Sequence, residues 1–152
     1  MAETTAQGGQ GAQGAPSRCL NILLVDDDEV DVMNVRRAFQ KAHITNPLFV
    51  AHDGLEALEL LRRDALPCDR RLVLLDLNMP RMNGIEFLRA LRADPRLHGT
   101  PVVVLTTSDD ERDKVDAYDL NVAGYLLKPV TFGSFVDIMV ALNKYWTLVE
   151  MP

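Results

Sequence analysis

Four clusters of reactive side chains stand directly after four apolar runs. Asp26, Asp27 and Asp28 follow NILLV, Asp76 follows LVLL, Thr106, Thr107 and Ser108 follow PVVVL, and Lys128 with Pro129 follows GYLL. Each cluster alone has an ordinary explanation. Aspartate is a preferred N-cap, so the acidic run reads equally as the solvent-facing start of a helix. The hydroxyl cluster reads as a capping loop, and a lysine before proline as a turn on the surface. As a set, however, they supply what phosphoryl transfer to a carboxylate requires: a nucleophile, a metal to neutralise the transferring oxygens, and hydrogen-bond donors for the remaining charge. Crowded carboxylates raise one another's pKa unless a cation neutralises them, and hard oxygen donors favour magnesium. Asp76 stands alone at the end of its run and is the best nucleophile, while the Asp26–Asp28 cluster is better employed holding metal.

Positioning these groups falls to a repeating pattern of short apolar runs and segments of helical period. Runs at 21–25, 48–51, 72–75, 101–105 and 124–127 predict five strands. The third and fourth are apolar throughout, as strands covered on both faces must be. Between them, Val32, Val35, Phe39 and Ala42 mark one helix. A second follows Asp53 as N-cap, with Glu56 three residues on and Leu55, Leu58 and Leu61 inward. Ile85, Leu88 and Leu91 mark a third that ends by Asp94-Pro95. The fourth, about 110–120, is polar, with Val115 and Tyr118 its main apolar contributions, and a helix so lightly anchored can move. Alternation of this kind predicts an α/β fold: a doubly wound, five-stranded parallel sheet, flavodoxin-like with order 2-1-3-4-5 and five helices, whose ligands sit at the carboxyl ends of the strands.

The 152-residue length and 47% hydrophobic content fit one domain, expected over residues 19–146. Residues 1–18 are almost all small or polar and predict a disordered leader, and 147–152 form a short tail whose Leu148, Val149 and Met151 would extend a dimer contact. A formal charge of −6 argues against nucleic acid as a direct partner, and no apolar run reaches the length of a membrane span. The two cysteines, Cys19 and Cys68, lie 49 positions apart, which suggests neither a disulfide framework nor a paired-cysteine metal site and points to a reducing cytoplasm.

Over residues 20–145 the chain resembles a two-component response regulator receiver domain, through LLVDDDE (23–29), LLDLNMPRMNG (74–84), VVVLTTS (102–108) and GYLLKP (124–129). The separations of 30 from Asp76 to Thr106 and 52 from Asp76 to Lys128 are those of the family. The resemblance implies that Asp76 is the phosphoacceptor. Magnesium would be held by Asp27 and Asp76 directly, by Asp26 through water, and by the main-chain carbonyl of Asn78. Lys128 would pair with the phosphoryl oxygens, and its peptide bond to Pro129 is expected to be cis. Thr106 would bind the new phosphoryl group, with Tyr125 turning inward toward the space that Thr106 vacates. The receiver is not expected to be a turnover enzyme, and its partner would be a sensor histidine kinase. Two features depart from the family: Asp28 lengthens the acidic run and is free to cap the first helix, and Thr107 is bulkier than the usual small residue at its position.

The 23 residues after Pro129 suffice for a fifth helix, so the expected output is a protein contact. Phe132, Phe135, Met139, Leu142 and Trp146 recur there at spacings of 3, 4, 3 and 4. Such a seam reads either as a deeply buried helix or as a homodimer face made by Phe135, Met139, Leu142 and Trp146. A Tyr145-Trp146 helix end is similar to stand-alone response regulators that partner phytochrome-type sensor kinases, which implies a bacteriophytochrome as donor. An enzyme alternative comes from the resemblance of Asp26-Asp27-Asp28 to the Asp-x-Asp motif of haloacid-dehalogenase-type phosphatases, with Asp26 as nucleophile and Asp28 as acid/base. Its chain order is wrong, because Asp109-Asp110 precedes Lys128, and it leaves Asp76 idle. A binding scaffold with a vestigial site is opposed by the presence of Asp27, Asp76, Thr106 and Lys128.

Overall fold

The computed structural model describes residues 19–149 apart from 65 and 69. Five strands, β1 (Leu20–Val25), β2 (Leu48–Ala51), β3 (Arg70–Leu75), β4 (Val102–Thr106) and β5 (Gly124–Leu127), alternate with helices α1 (Glu29–Lys41), α2 (Gly54–Arg63), α3 (Gly84–Ala93), α4 (Glu111–Asp119) and α5 (Phe132–Leu148). The sheet is parallel with order β2-β1-β3-β4-β5, as the pattern predicts. The leader expected over 1–18 lies outside the described residues, as do residues 150–152; α5 continues through Leu148, past the boundary expected at 146.

Strand alternation divides the core in two. Ile22, Leu24, Leu72, Leu74, Val103 and Leu105 face α1 and α5, whereas Leu23, Val25, Val73, Leu75, Val102 and Val104 face α2, α3 and α4. The four α5 residues expected to form a dimer seam, Phe135, Met139, Leu142 and Trp146, are buried within the protomer on the first of these layers. Trp146 packs against Phe39 of α1 at a ring separation of 6.2 Å. The 3-4-3-4 stripe is therefore core apart from its half-buried first member, Phe132: α5 lies beside α1 on one face of the sheet, and that face consumes the other four residues.

Other helix faces differ in detail from the periodicity. Leu55 is 47% exposed, and α2 buries Ala57, Leu58 and Leu61 instead. Val115 and Tyr118 are exposed on α4, where only Ala117 is buried. A helix start allows a first-turn leucine to sit outside the stripe, and α4 docks through one small residue because it lies at the sheet margin beside β5.

The cysteines also differ from expectation. Cys19 and Cys68 are disulfide-bonded, with Cα atoms 5.2 Å apart. Parallel pairing of β1 with β3 sets Leu20 opposite Arg70, so positions 49 apart in sequence meet at one end of the sheet. Asn21 anchors the same end, donating to the carbonyls of Cys68 and Arg70 and accepting from the Cys68 amide.

Candidate functional site

The register of the central strands builds the site. Val25 pairs with Leu75, and the Asp76 amide donates to the Val25 carbonyl at 2.9 Å, so Asp26 and Asp76 leave neighbouring strands side by side. Thr106 pairs with Leu127, and the Lys128 amide donates to the Thr106 carbonyl at 2.8 Å. This places the hydroxyl and the ammonium on the same rim. Carboxylate oxygens of Asp26, Asp27 and Asp76 all lie within 4.8 Å of one another. Thr106 Oγ1 donates to Asp76 Oδ1 at 2.8 Å, and Lys128 Nζ lies 3.0 Å from Asp76 Oδ2.

Lys128 is the cation of the notch, its side chain only 6% exposed. Its ammonium also reaches Asp26 Oδ2 at 2.9 Å and Asp31 Oδ2 at 2.6 Å. Burial alone would lower its pKa, but the hydrogen bonds to Asp31 and Asp26 outweigh burial and hold it above its ordinary value, so it stays charged. Burial pushes the Asp26 carboxyl up to about 6 against the opposing pull of Lys128. A carboxylate so disfavoured next to two others is the electrostatic setting that a divalent cation relieves, and oxygen donors at this spacing fit such an ion. Asp27 is exposed and opens onto a cleft of about 430 Å³ shared with Asn78, Met79 and Pro80.

The loops around the notch are fixed by local rules. Asp28 is the N-cap of α1, its carboxylate accepting from the amides of Val30 and Asp31. Its carboxylate is thereby engaged by the start of α1, and it lies outside the group formed by Asp26, Asp27 and Asp76. Gly84 opens α3 so close to β3 that a Cβ would stand 2.6 Å from Leu77 Cα and 2.7 Å from the Asp76 carbonyl. Asn83 caps α3 with a full capping box to Glu86. The Asn78 amide donates to Asp76 Oδ1 at 3.2 Å. The Tyr125 ring is half-buried against the core, and its hydroxyl donates to the Ser108 carbonyl at 2.8 Å.

The Lys128–Pro129 peptide bond is trans, contrary to the cis geometry expected there. Trans is the intrinsically favoured isomer by about 0.5–1 kcal/mol, and with it the ammonium still reaches three carboxylates. The phosphatase alternative is not supported: Asp28 is committed to the α1 cap, and Asp26 is 2% exposed and held by Lys128 and the Asp28 amide.

Two participants escape the sequence reading. Asp31, on the first turn of α1, makes the shortest contact to Lys128; its signal was an acidic residue one helical turn beyond Asp27. Arg81, with φ 62°, ion-pairs with the buried Asp53 and ties the β3–α3 loop to the start of α2. No periodicity announces such a residue.

Comparison with known proteins places this geometry in a family. The response regulator receiver domain model matches residues 22–139. The probable methanogenesis regulatory protein FilR2 of Methanothrix harundinacea is 38% identical over 130 residues, covering 82% of each chain. Response regulator Rcp1 of Synechocystis is 34% identical over 128 residues, covering 82% of this chain and 87% of its own. A solved Mn(2+)-bound form of Rcp1 superposes with a TM-score of 0.76 at 32% identity, covering 88% of this chain and 98% of the other. The phosphorylated cyanobacterial phytochrome response regulator RcpA gives a TM-score of 0.78 at 33% identity, covering 87% and 97%. With its acidic notch at the β1/β3 strand ends and a family match across most of its length, the chain belongs to the response regulator receiver domains.

Proposed function

We propose that Asp76 is the phosphoacceptor of a single-domain response regulator and that its donor is a sensor histidine kinase of the phytochrome type. The observation that carries this is the environment of the Asp76 carboxyl: one oxygen meets the Thr106 hydroxyl at 2.8 Å, the other meets the Lys128 ammonium at 3.0 Å, and Asp26 and Asp27 stand beside it. A carboxylate oxygen of Asp76 attacks phosphorus, the new O–P bond forms as the donor's bond to phosphorus breaks, and the leaving group departs with the electron pair. Lys128 faces the oxygens of the transferring group. Thr106 is free to redirect its donor from the carboxylate to a phosphoryl oxygen, and Tyr125 follows the space it leaves. Mg2+ would be held by Asp27 and Asp76, by Asp26 through water and by the Asn78 carbonyl, and when bound it supplies charge neutralisation for the transferring oxygens.

The exposed apolar side chains Val30 and Met33 of α1 and Val130 after β5, all within a few residues of Asp27, Asp31 or Lys128 in the chain, suit contact with a kinase. The phytochrome assignment is supported by the likeness to RcpA. With the cysteines paired, the cytoplasmic assignment rests on the kinase partner and not on cysteine usage; the protein signals through protein contacts rather than nucleic acid or membrane and is not a turnover enzyme. We place the homodimer contact on the apolar groove between α5 and the edge strand β5, lined by Leu126, Ile138, Ala141 and Tyr145, since the four core residues are unavailable. A Tyr145→Glu change is expected to shift the mass measured by light scattering from dimer to monomer; an unchanged dimer would reject this face.

Acetyl phosphate with Mg2+ should add one phosphoryl group, seen by intact-protein mass spectrometry after a short incubation. Asp76→Asn should abolish the addition. Labelling that persists in the Asn variant, or continuous turnover of the donor without Asp76, would refute the assignment.

A further inference from the structure

We propose that Asp31 is a positioning residue that competes with the phosphoryl group for the Lys128 ammonium and so acts as an electrostatic brake on phosphorylation of Asp76. An ammonium has three N–H donors, and here three carboxylates surround it: Asp31 at 2.6 Å, Asp26 at 2.9 Å and Asp76 at 3.0 Å. The shortest contact goes to the residue that takes no part in the chemistry. Asp31 lies on α1, outside the Asp26, Asp27 and Asp76 oxygens grouped for a metal, and its side chain is 20% exposed against 6% for Asp76. Its amide is held by the Asp28 cap, which fixes the helical turn that aims the carboxylate at Lys128.

The electrostatics give the direction of the effect. Four carboxyl groups, Asp26, Asp27, Asp31 and Asp76, crowd around one ammonium. An acyl phosphate at Asp76 adds further negative charge, and each carboxylate that keeps hold of Lys128 opposes it. Asparagine at position 31 retains an oxygen acceptor for Lys128 but removes the charge, leaving the ammonium in place and freer to follow the phosphoryl oxygens. In the step affected, an Asp76 oxygen bonds to phosphorus while the phosphorus–oxygen bond of the donor breaks and acetate leaves with the electron pair; no oxidant or extra proton is needed.

The proposal rests on Asp76 being the phosphoacceptor, and one experiment separates the two. Phosphorylation by acetyl phosphate at saturating Mg2+ is followed by intact mass for the wild type, Asp31→Asn, Asp31→Glu and Asp76→Asn. Asp31→Asn should react roughly 3- to 10-fold faster than wild type, with the gain shrinking as salt screens the charge. Asp31→Glu should restore the wild-type rate, and the urea midpoint of the Asn variant should stay close to that of the wild type. If the Asn variant does not fold, Asp31→Ser read by the same kinetics takes its place. A rate for the charge-neutral variant equal to or below wild type overturns the proposal, as does equal acceleration by Asn and Glu. A wild type that takes no phosphoryl group instead refutes the reading of Asp76 itself.

Discussion

At the scale of single residues, the site is a problem of unbalanced charge. Lys128 is almost completely buried among Asp26, Asp31 and Asp76, and removing one partner of a buried ionic group leaves the others uncompensated. Lys128→Ala is therefore expected to lower unfolding stability by about 3 kcal/mol when the metal is chelated. Saturating Mg2+ should recover much of that loss, because a second cation can occupy the carboxylate cluster. Urea denaturation in EDTA and in Mg2+ checks both halves; a loss that ignores Mg2+ would place the effect in packing rather than charge. Asp76, Asp27, Thr106 and Lys128 were legible in the sequence because each stands at a strand end. Asp31 was not, since its partner lies 97 positions away and only the packing of α1 beside α5, which the Lys128 loop leads into, brings the two together.

Among the elements, α2 and the β3–α3 loop are joined by one buried carboxylate. Asp53 caps α2 by accepting from the Glu56 amide at 2.9 Å and pairs with Arg81. Burial alone would raise its pKa, but the Glu56 amide and the Arg81 guanidinium outweigh it and hold the carboxyl below its ordinary 3.8. A depressed folded-state value contributes stability above the unfolded pKa and loses it as pH falls through the folded one. Asp53→Ala should thus cost about 1–2 kcal/mol at pH 7, and the difference from wild type should narrow below about pH 4. Guanidinium melts across pH 3–7 test this, and a gap independent of pH would show that the charge contributes nothing. The helix predicted by Asp53 with Glu56 formed as read, because capping is local. The inward position expected for Leu55 failed, because which face of a short helix is buried is decided by the sheet beneath it.

Over the whole molecule, one covalent link spans β1, α1, β2 and α2. The Cys19–Cys68 bond closes a loop of 49 positions, and removing such a loop constraint costs about 4 kcal/mol in the chain-entropy description. Cys19→Ser is expected to lower the thermal midpoint by roughly 10 °C under oxidising conditions. Reductant should lower the wild type by a similar amount and leave the variant unchanged. Differential scanning fluorimetry with and without reductant decides it, and a wild type indifferent to reductant would show that the thiols do not pair in solution.

Sequence alone determined the strand–helix alternation, the parallel sheet and the set of strand-end residues, since these follow from local period and from the rule that parallel strands deliver their carboxyl ends to one rim. Only the tertiary structure decided that α5's apolar stripe is core, that two cysteines meet, that the Lys128–Pro129 bond is trans and that Asp31 joins the notch. Those outcomes depend on which surfaces face each other across the sheet, and a hydrophobic stripe reads the same whether it meets its own sheet or a second chain.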